Sequence, residues 1–132
     1  MDVKLLSGAL GAEISGIDLK DTSLENFKKI NKLLLEHKVI FFRNQNITAD
    51  EQLALGKHFG PLEKHVYVKG REDYPEIVRI IKTPNEKNQW GENWHSDVSY
   101  NVKPTKAVIL RSIPFTSAPK APDKSFKSMN LA

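Results

Sequence analysis

The sequence predicts an α+β fold. Two stretches begin on Thr-x-x-Glu and carry apolar residues at helical spacing, and short β-forming runs lie before, between and after them. No run of 18 apolar residues interrupts that pattern, so no membrane-spanning helix is expected.

The first apolar runs are Val3 to Leu6 and Ala12 to Ile14, broken by Gly8, Gly11 and Gly16, and they read as two short strands joined by tight turns. Asp2 and Glu13 make this the start of a domain rather than a signal peptide. In "DTSLENFKKINKLLLEHK", Thr22 and Glu25 have the spacing of a capping box. Leu24, Phe27, Ile30 and Leu34 fall on one helical face. His37 closes this helix, where an imidazole suits the C-terminal end of the dipole.

"VIFF", Val39 to Phe42, is an unbroken run of β-formers and suits a strand buried on both faces. A polar turn at Asn44 to Asn46 leads to "TADEQLALGKHFG", where Thr48 and Glu51 form a second capping box. Leu53, Phe59 and Pro61 mark its packed side and its stop, and His58 is expected at the surface. Leu62 to Asp73 reads as loop, Glu76 to Ile81 ("EIVRII") as a strand, and Lys82 to Gly91 as an exposed loop. "KAVILRSI", Lys106 to Ile113, is one more strand. Beyond Pro114 the periodicity fades, and residues 114–127 form a basic, Pro-containing loop. With no internal repeat and no linker, residues 1–132 read as a single domain.

Composition narrows the function classes. Hydrophobic residues at 39% and charged residues at 27% of 132 suit a soluble globular protein. The absence of cysteine excludes disulfides, iron–sulfur clusters and zinc–thiolate sites, and it fits a cytoplasmic protein. Between Lys103 and Lys127, five Lys and Arg111 stand against Asp123 alone. Such a tail can bind nucleic acid, but only Phe115 and Phe126 lie among its basic residues, too few for a run of stacked bases, so a solubilising terminus is the stronger expectation.

Chemistry concentrates in "NWHSDVSY", Asn93 to Tyr100. On a strand, His95 and Asp97 project from one face and can reach one point, while Trp94 and Val98 turn into packing. One imidazole and one carboxylate make two-thirds of a two-His-one-carboxylate triad, the donor set of non-haem Fe(II) oxygenases. A solvated His at a polar strand end is the competing account of so short a motif.

The wider sequence bears on that choice. "VIFFRNQNITADEQLALGKHFGPLEKH" followed by "NWHSDVSY" closely resembles the taurine dioxygenase family of Fe(II)- and 2-oxoglutarate-dependent oxygenases. The matching positions are Phe42, Arg43, Gln45, Phe59, Gly60, Trp94, His95 and Asp97. "GAEISGIDL" from Gly11 and the final "SMNLA" are also similar to family segments, so the resemblance runs along nearly the whole chain. It implies a partial double-stranded β-helix (jelly-roll) with N-terminal strands and two flanking helices. It also implies oxidative decarboxylation of 2-oxoglutarate coupled to hydroxylation of a small organic substrate, with His95 and Asp97 as Fe(II) ligands. His65 and Tyr67 fall near the family's substrate-contacting residues, and Asn93 joins them as a substrate-binding candidate.

The sequence departs from the family pattern at several places. No His follows Asp97, whereas the family's second metal His and its 2-oxoglutarate-binding Arg lie far downstream. The chain is therefore expected to be an N-terminal portion of a dioxygenase, completed by association with the missing part or as a homo-oligomer. Where the family carries Gly-Gly-Asp-Thr, this chain has Ala121, Pro122, Asp123 and Lys124. Pro122 forbids the same backbone turn, while Lys124 can still meet a 2-oxoglutarate carboxylate as a point charge. Gly91 replaces a residue that is polar in taurine dioxygenase, so specificity for taurine is not implied. The alternatives are a non-catalytic remnant acting through oligomerisation and, as a weaker candidate, a small basic nucleic-acid-binding module.

Overall fold

The computed structural model describes residues 1–81, 93–113 and the backbone of 127–130. Two compact units divide the chain. The first is built from Met1–Gly60 and Lys106–Leu131, the second from Pro61–Thr105.

The first unit is a five-stranded mixed sheet with two helices. β1 (Asp2–Leu5) pairs antiparallel with β2 (Ala12–Ser15), with Val3 opposite Ile14. Gly11 and Gly16 bracket β2 at φ 85 and 68, a region open to glycine at no steric cost. Helix α1 (Leu24–His37) then carries the chain over to β3 (Val39–Phe42), which runs parallel to β2. Lys38 makes the reversal from helix to strand in one residue, at φ 65, with its N–H bonded to the Leu34 carbonyl at 2.8 Å. After α2 (Ala49–Lys57) come β4 (Val108–Arg111) and β5 (Lys127–Asn130), and the sheet order is β1-β2-β3-β5-β4.

The core joins the inner faces of β2 and β3 to the helices. Ile14, Ile30, Leu34, Ile40 and Leu55 are fully buried, with Ala12, Leu19, Leu33, Phe42 and Ile47 around them. Two amides fix the chain that enters α1. Gln45 accepts the Leu19 N–H at 3.0 Å and donates to the Ile17 carbonyl at 3.0 Å. Buried Asn26 donates to the carbonyls of Asp18 (3.0 Å) and Asp21 (2.6 Å). These bonds tie the segment between β2 and α1 to the polar turn after β3 and to the first turn of α1.

Several expectations change. The capping box at Thr48 and Glu51 is present in both directions. At α1, however, the N-cap is Ser23, whose hydroxyl accepts from Asn26 N–H at 3.3 Å, while Glu25 pairs with Lys29 at 2.8 Å. Leu24 is exposed, because Asn26 is the first-turn side chain drawn inward by two carbonyls, and Ile30, Leu33 and Leu34 complete the buried stripe. In α2 the buried leucine is Leu55, with Leu53 partly covered. β3 is fully buried at Ile40 and Phe42 and partly covered at Val39 and Phe41.

"EIVRII" forms no strand. Ile77 spends its backbone groups locally: its N–H donates to the Tyr74 carbonyl and its carbonyl accepts the Arg71 N–H, both at 2.9 Å. β-forming side chains alone do not make a strand without a ladder partner. Conversely β5, absent from the sequence expectation, lies inside the sheet between β3 and β4. A single mixed sheet with two helices is an α+β arrangement, and the second sheet of a jelly-roll is not among the described residues. No helix among them is long and apolar enough to cross a membrane.

Candidate metal centre

The candidate residues belong to the second unit. Asn93 to Tyr100 is not the expected strand but a series of bends ending in a turn, with the Asn101 N–H bonded to the Val98 carbonyl at 3.2 Å. Val98 sits at φ 50, which is costly for a β-branched residue. Trp94 is fully exposed rather than packed. These differences share one cause: no described strand lies beside the segment to hold it extended, so its polar groups bond within it. Ser96 and Ser99, for example, share a hydroxyl–hydroxyl hydrogen bond of 2.6 Å.

The bent backbone still brings the pair together. His95 Nε2 stands 3.3 Å from Asp97 Oδ1. The other ring nitrogen is held by the chain itself, since Nδ1–H donates to the Asn93 carbonyl at 2.6 Å. Asn93 thus acts here through its backbone, orienting the imidazole as a partner to a ligating His commonly does.

This arrangement can be tested against a first-row metal ion. With Nδ1 committed as a donor, Nε2 faces the Asp97 carboxylate. As an N–H it pairs with the carboxylate directly, and as a lone pair it opposes it until a cation lies between the two. Ligand atoms about 2.1 Å from one metal at roughly a right angle stand about 3 Å apart, close to the observed separation. His95 and Asp97 therefore fit two adjacent positions on one ion. Among the described residues no group of three His, Cys, Asp or Glu side chains could hold a metal. His37 and His58 belong to the first unit, and His58 is part-buried, not at the surface as expected, with its Nε2 against the Thr22 carbonyl at 2.8 Å.

His65 and Tyr67 share the unit of His95. The His65 Nδ1 accepts the N–H groups of Tyr67 and Val68, each at 3.1 Å, so its ring proton sits on Nε2. The Tyr67 ring meets Tyr100 edge-to-face at 5.7 Å. Tyr100 thereby ties the His65 turn to the His95 segment. Sequence reasoning passed over it, although it closes the very stretch that holds His95 and Asp97. The Thr105 hydroxyl donates to Glu63 at 2.9 Å, joining the two ends of this unit. Lys124 and residues 114–126 lie outside the described residues.

The described residues thus place one imidazole beside one carboxylate, with the ring oriented through a backbone carbonyl. The chain belongs to the taurine catabolism dioxygenase TauD, TfdA family, whose model matches residues 2–118. It is 36% identical to an alkylsulfatase of Acinetobacter baylyi over 86% of this chain and 35% of the relative's length. It is 30% identical to an alpha-ketoglutarate-dependent sulfonate dioxygenase of Saccharomyces cerevisiae, over 93% of this chain and 31% of the relative. An alpha-ketoglutarate-dependent sulfate ester dioxygenase of Pseudomonas putida shares 32% identity over 86% of this chain and 37% of its own length. The chain thus spans about a third of the length of these curated relatives. Among solved structures, a taurine dioxygenase from Burkholderia xenovorans matches with a TM-score of 0.63 at 29% identity, over 86% of this chain and 41% of that one.

Proposed function

We propose that this chain supplies the N-terminal portion of an Fe(II)- and 2-oxoglutarate-dependent dioxygenase acting on a small sulfate ester or sulfonate. The observation that carries the reading is the 3.3 Å approach of His95 Nε2 to Asp97 Oδ1, with Nδ1 anchored on the Asn93 carbonyl. The family membership supports the reaction class, and the three sulfur-oxyanion relatives support the substrate class.

Bound iron would supply activation of O₂ coupled to oxidative decarboxylation of 2-oxoglutarate, directed at a substrate C–H bond. The chain's own residues bind and orient. His95 and Asp97 present two donors, and Asn93 keeps the imidazole turned toward them. His65, holding its proton on Nε2, offers one hydrogen bond to an oxyanion, with Tyr67 beside it as a second polar tip. Lys124 offers a positive charge to a 2-oxoglutarate carboxylate. The remaining ligand, the Arg for 2-oxoglutarate and the second sheet of the jelly-roll come from polypeptide outside the described residues.

Anaerobic titration of the folded chain with Fe(II), then with 2-oxoglutarate, tests this. One iron per chain is expected to bind, and a visible charge-transfer band is expected to follow when the keto acid chelates it. Both should vanish in His95→Ala and in Asp97→Ala. A folded chain that binds neither overturns the reading and leaves a non-catalytic remnant acting through association.

A further inference from the structure

We propose that the outer edge of β1 pairs with the same edge of a second copy, in one register selected by charge. β1 ends the sheet, and no described residue pairs with its outer side. The Leu6 N–H donates inward to the Gly11 carbonyl at 3.0 Å, continuing the ladder in which Asp2 faces Ser15 and Lys4 faces Glu13. Backbone groups alternate in direction along an antiparallel strand. The even-numbered residues therefore turn their N–H and C=O toward β2, and Val3 and Leu5 turn theirs outward.

An antiparallel partner must set these outward residues against its own outward residues. Two-fold symmetry about Val3 does so: Val3 meets the partner's Val3, and Leu5 meets the partner's Met1. In that register Asp2 lies directly opposite the partner's Lys4, and the symmetry repeats the pair. The two neighbouring registers that keep the backbone groups opposed set Lys4 against the partner's Lys4, or Asp2 against the partner's Asp2. Like charges directly opposite one another are destabilising, so both are disfavoured. An isologous contact of this kind closes on itself and does not propagate.

The side chains agree with that register. Val3 and Leu5 pair across the ladder with buried Ile14 and Ala12, which places them on the core face of the sheet. They remain 41% and 59% exposed, beside Met1 at 56%. Joining two copies would continue that apolar face across the dyad and put both Asp–Lys pairs on the opposite face. Edge strands commonly carry a charge that repels a copy; here the two charges of the strand answer each other. The ladder is short and buries well under the roughly 1,200 Å² of a stable interface, so the dimer is concentration-dependent. The contact uses the first unit alone and does not depend on the metal pair.

Sedimentation equilibrium of the whole chain over a concentration series, with circular dichroism to confirm folding, tests the register. A monomer–dimer equilibrium is expected in the natural chain. Lys4→Glu and Asp2→Lys should each weaken dimerisation by about tenfold or more. The double exchange, Asp2→Lys with Lys4→Asp, should restore it. Val3→Pro deletes an outward N–H without touching the ladder to β2 and should also give monomer. A natural chain that stays monomeric, single reversals that leave the dimer intact, or a folded double exchange that fails to restore it would each overturn the proposal.

Discussion

The His58 imidazole lies 4.9 Å from the Phe27 ring with 19° between their planes, and its Nε2–H donates to the Thr22 carbonyl at 2.8 Å. Phe59 meets the same Phe27 ring edge-on, also at 4.9 Å. The end of α2 is thereby fastened to the start of α1 by one ring stack, one T-contact and one hydrogen bond. His58→Ala removes the stack and the bond together and is expected to cost about 1–2 kcal/mol. A urea midpoint lowered without a change in slope would show it, and an unmoved midpoint would deny the contact any weight.

Asn26 is a buried polar side chain with two carbonyl partners, whereas Leu24, two residues earlier, is exposed. Asn26→Ala leaves the Asp18 and Asp21 carbonyls without that donor and should destabilise by about 1–3 kcal/mol. Leu24→Ala should stay within about 0.5 kcal/mol. Thermal unfolding of the two variants separates them, and the apolar residue is expected to be the dispensable one.

Acid should weaken the start of α1. The Ser23 N–H, bonded to Asp21 Oδ1 at 2.9 Å, holds the Asp21 carboxyl below its ordinary value, and the Lys29 ammonium does the same to Glu25. A carboxyl with a depressed folded pKa adds stability above its unfolded pKa. That contribution is lost as pH falls through the folded value. Stability should therefore decline on acidification below the normal carboxylate range, and Asp21→Asn should flatten part of the decline. Unfolding midpoints measured from neutral to strongly acid pH would reveal a missing difference at once.

Tyr100 joins the His65 turn to the segment carrying His95 and Asp97 through its edge-to-face contact with Tyr67. Under the iron-site proposal, Tyr100→Ala loosens that segment and should weaken Mn(II) binding by about threefold to tenfold, while Tyr100→Phe keeps the ring and the affinity. Paramagnetic resonance of free Mn(II) reads both. Equal losses in the two variants would mean that the hydroxyl, not the ring packing, matters.

The features legible in the sequence were local ones. The Thr48–Glu51 box closes within one helical turn, so its two residues suffice to specify it. Val39 to Phe42 and Val108 to Arg111 became strands as their β-forming runs suggested. The close approach of His95 and Asp97 also survived the loss of the expected strand, because a spacing of two keeps them near in a bend as well.

What the tertiary structure decided depended on distant partners. Lys127–Asn130 shows no periodicity of its own and became a strand between β3 and β4, whose backbone groups it satisfies. Glu76 to Ile81 has the stronger β composition, yet Ile77 turned its hydrogen bonds to Arg71 and Tyr74. Ser23 displaced Thr22 as the cap, and His58 was drawn from the expected surface onto Phe27. Side-chain spacing states which face a segment prefers. The ladder partner, set by contacts far along the chain, determines whether that face is used, since a backbone polar group leaves water only for another partner.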